Sequence, residues 1–116
     1  MNTREDDFIR QLRATFMAEA AEHLRVIATG LLELEKMPDA DEERSLVETM
    51  FRAAHSLKGA ARAVDIPDIA SQCQALENMF ATWKRQEHAP CTSSFDAARR
   101  TLNAIGSRLS ASETAL

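Results

Sequence analysis

Phe51-Arg52-Ala53-Ala54-His55-Ser56-Leu57-Lys58-Gly59 is the one stretch of this chain whose residue types and spacing could do chemistry near neutral pH. On a helix, residues three and four apart are surface neighbours, so Lys58 can reach a group on His55 while Gly59 leaves the next turn bare. A neutral imidazole is a nucleophile, and its two nitrogens become distinct once a hydrogen bond fixes one of them. Gln74 and Glu77, three apart on a later helix, can supply that bond. If Glu77 holds the inner nitrogen, the other keeps its lone pair outward and Lys58 serves as a local countercharge. That arrangement suits the accepting half of a phosphoryl transfer, where catalysis is mainly positioning plus electrostatic stabilisation. Gly59 fits the same reading, because a mid-helix glycine costs about 1 kcal/mol relative to the alanines around it.

The elements that must position these groups follow from apolar spacing. Ile9, Leu12, Phe16, Ala20, Leu24, Ile27, Leu31 and Leu34 step by three and four, which predicts an amphipathic helix over 6–36, capped through Thr3 and Asp6 and slightly weakened by Gly30. Met37-Pro38-Asp39 ends it, since a proline disfavours a helical residue before it. Asp39 and Glu42 open a second helix over 41–64 with Leu46, Met50, Ala53, Leu57, Ala61 and Val64 inward and His55 off the stripe. A third, 67–86, carries Ile69, Cys73, Leu76, Phe80 and Trp83; a fourth, 93–109, is capped by Ser93 with Asp96 and carries Phe95, Ala98, Leu102, Ile105 and Leu109. Short connections make successive helices antiparallel, so the predicted fold is all-α, an up-down-up-down four-helix bundle over 1–110. Residues 111–116 read as a frayed tail or the start of a linker.

The remaining composition narrows the function classes. With 116 residues, 45% of them hydrophobic, the chain has the size of one domain with one core. A net charge of −4 provides no basic footprint for nucleic acid or anionic lipid. No apolar run is long enough to span a bilayer and the first residues are acidic and polar, so no direct membrane contact and a cytoplasmic location are expected. Cys73 and Cys91 lack ligand spacing and read as two reduced thiols. Met17, Met37, Met50 and Met79 read as core filling, Trp83 as a core or rim anchor, and His23 and His88 as ordinary surface or boundary residues. No His/Glu spacing matches a di-metal bundle, and no Gly-rich phosphate loop is present, so neither a metal nor an ATP site is expected in this domain.

The motif Ala54 to Gly59, preceded by Phe51-Arg52 and followed by Glu77 within Leu76-Glu77-Asn78, closely resembles the histidine phosphotransfer (HPt) domain. It is most similar to the N-terminal phospho-accepting domain of CheA-type chemotaxis histidine kinases. Helix count and order agree over nearly the whole chain, while the specific motif lies within 51–80. The resemblance implies that His55 is phosphorylated by an ATP-bound histidine kinase domain and donates to an aspartate of a response-regulator receiver, with Lys58 and Glu77 in support. ATP and magnesium would belong to the kinase partner, and magnesium to the receiver. The chain alone would be a phosphocarrier, part of a larger histidine kinase.

Two positions depart from the pattern. Gln74 stands where a second histidine is usual; it can hydrogen-bond near the site but carries no proton equilibrium. Asp65 stands where a turn glycine is common, and can adopt a left-handed conformation or cap the third helix. A fifth helix present in some chemotaxis kinases has no counterpart. Arg52 and Arg62 flank His55, and are equally a partner-docking rim with Gly59 or plain solvated charges. The alternative to the relay is a non-phosphorylated helical docking module that uses the same face; a metal-dependent bundle enzyme is a third reading.

Overall fold

A computed structural model describes residues 3–86 and 90–115, so His88 lies outside the described residues. Four helices follow one another: α1 (Thr3–Glu35), α2 (Ala40–Ala63), α3 (Pro67–Arg85) and α4 (Thr92–Ala115). Each packs on its sequence neighbours and α1 closes the ring against α4, which is the predicted antiparallel bundle. The core line contains Phe16, Ala20, Ile27, Leu31 and Leu34 from α1, and Val47, Met50, Ala53, Ala54, Leu57 and Ala61 from α2. From the other side come Ile69, Cys73, Leu76, Phe80 and Trp83 of α3 and Phe95, Ala98, Ile105 and Leu109 of α4. Trp83 tilts against Phe80 and Phe95, with centroids 5.2 and 5.6 Å away, and locks α3 to α4.

The turns explain the helix ends. The Asp39 carboxylate accepts the Glu42 backbone N–H at 2.8 Å, the expected cap of α2. At its other end Ile66 N–H donates to Ala61 and Asp65 N–H to Arg62, a Schellman arrangement with Asp65 at φ 59° and Pro67 opening α3. The aspartate therefore takes the left-handed place that a glycine would fill at lower cost. After α1, Met37 does the same at φ 57°, its N–H donating to Leu34, while Pro38 has no N–H for the second bond.

Four expectations change. Met37 is not core filling but 81% exposed, because the left-handed turn throws its side chain outward. Ile9 and Leu12 are exposed, since α1 outruns its neighbours. Ser93 does not cap α4: the helix starts at Thr92, and the Cys91 carbonyl accepts the N–H groups of Ser94 and Phe95. The backbone of α4 stays helical to Ala115, beyond the end at Leu109 that periodicity predicts. Gly30 has a positive reason to be glycine: a Cβ there would lie 2.6 Å from Met50 Cγ, so α1 and α2 touch closely at this level.

Candidate functional site

The antiparallel pairing of α2 with α3 sets His55 opposite Glu77, Lys58 opposite Gln74 and Glu48 opposite Lys84. Leu57 and Ala54 bury the neighbouring face of α2, which rotates His55 outward; its side chain is 65% exposed. Glu77 takes the other side of the contact. It is the buried charged side chain of the described residues, 6% exposed.

Nδ1 of His55 lies 2.6 Å from Oε1 of Glu77. A carboxylate only accepts, so in the neutral ring Nδ1 carries the proton and Nε2 holds the free lone pair toward solvent. The second oxygen, Oε2, lies 2.5 Å from Nζ of Lys58 and has no hydrogen bond of acceptable angle, so the ammonium charge is what compensates its burial. Burial pushes the Glu77 carboxyl up, but the close Lys58 ammonium and the hydrogen bond to His55 outweigh it and hold it below the ordinary value. The glutamate is thus an anion at neutral pH, shared between an imidazole and an ammonium.

Lys58 differs from the expected picture in one respect. Its side chain is only 12% exposed, and its Nζ also donates to Oε1 of Gln74 at 3.1 Å. It therefore neutralises Glu77 first. Gln74 serves Lys58 rather than His55, with its amide turned to donate to Asn78 at 3.0 Å. Gly59 is exposed, and a Cβ built on it would meet nothing within 4 Å. No packing demand explains that glycine.

Arg52 and Arg62 are exposed on the same helix. Arg52 adds its charge to Glu48, and Arg62 lines a shallow hollow with Pro67, Ala70, Ser71 and Gln74 beside the site. Sequence reasoning missed the support behind the ring: Phe51, one turn before His55, lies parallel to it within 3°, centroids 6.5 Å apart. Lys84 sits 5.3 Å over the Phe51 ring while paired with Glu48 at 2.5 Å. The four-residue spacing of Phe51 and His55 was the available signal.

The cysteines stand apart from this chemistry. Burial, then the Glu77 carboxylate, pushes the Cys73 thiol up to about 12 against the Lys58 charge, so it stays a neutral thiol. Cys91 is exposed, and hydrogen bonds from Ser93 and Ser94 bring its thiol down to about 7. Among the described residues no group of three His, Cys, Asp or Glu side chains could hold a metal ion, and no helix is long and apolar enough to cross a membrane.

The chain is 38% identical over 65 residues to the chemotaxis protein CheA of Listeria monocytogenes, which is 56% of this chain and 10% of that protein. It is 38% identical over 72 residues to CheA of Bacillus subtilis (62% of this chain, 10% of that protein). CheA of Rhizobium meliloti matches at 33% over 69 residues (60% and 9%). The chain thus spans about a tenth of the length of these relatives. No solved structure matches it significantly. The Hpt domain family model matches residues 11–111, and with an outward imidazole on that bundle the chain belongs to the Hpt domain family, the histidine phosphotransfer domains of phosphorelays.

Proposed function

We propose that His55 takes a phosphoryl group on Nε2 from the ATP-bound domain of a histidine kinase and passes it to an aspartate of a receiver domain. One observation carries the reading: an exposed imidazole whose Nδ1 is held by a buried carboxylate. In the first step the Nε2 lone pair attacks the γ-phosphorus, the N–P bond forms and the P–O bond to ADP breaks. The ring becomes a phospho-imidazolium, and its positive charge sits against the Glu77 anion. In the second step a receiver carboxylate oxygen attacks the phosphorus, the N–P bond breaks, and the electron pair returns to Nε2.

Lys58 keeps Glu77 ionised and fixed, and Gln74 fixes Lys58, so both act as positioning residues. The bare turn at Gly59 lets a partner surface approach the ring, and Arg52 and Arg62 rim that approach with positive charge suited to an acidic receiver or the phosphates of ATP. ATP and magnesium are held by the partners, and the cytoplasm is where both partners meet this domain.

The test incubates the chain with a CheA-type kinase domain and labelled ATP. Base-stable, acid-labile label that disappears in His55→Gln is expected. Unlabelled protein that still binds the kinase or receiver would instead make the chain a docking module.

A further inference from the structure

The first three turns of α1 stand clear of the bundle. Gly30 meets Met50, so with α2 antiparallel its last residue, Ala63, is level with about Met17. Glu35 pairs with Arg99, which brings the end of α4 at Ala115 level with about Glu19. Residues 3–15 are exposed apart from half-buried Asp6, and burial begins at Phe16. At 1.5 Å per residue this is an overhang of about 20 Å.

The overhang is not polar all round. Phe8 is 64% exposed, Ile9 49% and Leu12 41%. At about 100° per residue these three fall in one arc with Phe16, Ala20 and Ile27, the stripe that faces the core higher up. The stripe therefore continues past the end of the bundle and faces the space beneath the α2–α3 turn. Asp6 and Arg13 lie along one flank of it, and neither takes part in an ion pair among the described residues.

We infer that this overhang is a self-association surface whose occupant is the same segment of a second copy, running antiparallel. Direction follows from space: a second helix parallel to α1 would run into the α2–α3 turn, whereas an antiparallel one enters by its N-terminus and stops beneath it. Charge supports the same direction. In a two-fold antiparallel pair with Ile9 and Leu12 at the seam, Asp6 of each copy lies opposite Arg13 of the other. The flank is thus self-complementary in that orientation. About three turns of helix bury well under the roughly 800 Å² per partner of a standard interface, so the dimer is weak and forms only at high protein concentration. Because His55 lies about two turns up α2 from Ala63, both phospho-accepting faces stay open, and one particle presents two of them.

Sedimentation velocity of the whole chain from about 10 µM to 1 mM tests this, with far-UV circular dichroism reporting the fold. The expected result is concentration-dependent dimerisation that Leu12→Glu abolishes. Asp6→Arg alone and Arg13→Asp alone each weaken it about tenfold, by placing like charges across the seam. An equimolar mixture of those two variants restores it as a heterodimer. A chain monomeric at 1 mM, a dimer indifferent to Leu12→Glu, or charge variants that the mixture does not rescue would each overturn the inference.

Discussion

Gly59→Ala separates fold from function at a single methyl group. An added Cβ meets nothing within 4 Å, so the substitution brings no clash and removes the entropic cost of a helical glycine, about 0.8–1.0 kcal/mol. For a chain of this size that gain raises the melting temperature by roughly 4 °C. The same methyl projects one residue from Lys58 and one turn from His55, on the face a partner must approach. A displacement of about 1 Å between nucleophile and phosphorus slows transfer by up to about 100-fold. Calorimetry and a phosphotransfer time course on the same preparation check both halves: the variant is expected to be more stable and at least about tenfold slower. A stabilised variant that transfers at the wild-type rate would refute the role given to the bare turn. A destabilised one would refute the geometry around it.

The same change at Gly30 has the opposite sign: overpacking against the fully buried Met50 costs about 1–3 kcal/mol against a helix gain of about 1 kcal/mol, so Gly30→Ala lowers stability by up to about 2 kcal/mol in denaturant titration. Met37→Gly relieves a left-handed residue whose side chain is 81% exposed, and adds about 1 kcal/mol by the same measurement. Glu77→Gln leaves the half-buried Lys58 without its anion and costs about 2 kcal/mol at pH 7. Because the folded carboxyl titrates below its ordinary 4.5, its contribution is complete above that pH and is lost as pH falls through the lower folded value. The stability gap between wild type and Glu77→Gln, followed by urea titration from pH 7 to 3, therefore closes on the acid side; a constant gap would contradict the assignment.

Most of the bundle was legible because its stripes are clean: every apolar position assigned to α3 is buried, and the α2–α3 register that placed His55 level with Gln74 and Glu77 holds. What periodicity could not reveal was where a stripe stops having a neighbour. Ile9 and Leu12 fit the α1 pattern as well as Ile27 does, and the earlier ends of α2 and α4 leave them uncovered. The site was legible as a set of residues but not in its division of labour. Glu77 sits off the apolar line and still becomes buried, because Lys58 folds inward to neutralise it; that pairing depends on side-chain paths, not on spacing. Met37 illustrates the same limit, since a turn needing φ near 57° decides its exposure and its apolarity does not.

In the proposed relay Glu77 holds the Nδ1 proton and leaves Nε2 as the attacking atom. Phosphorylating histidine-¹⁵N-labelled protein with a small phosphodonor such as phosphoramidate, and recording two-bond ¹⁵N–¹H correlations with ³¹P coupling, reads this directly. Phosphorus coupled to Nε2 of His55, with Nδ1 still protonated, is the expected result. Phosphorus on Nδ1, or on any other residue, would contradict it.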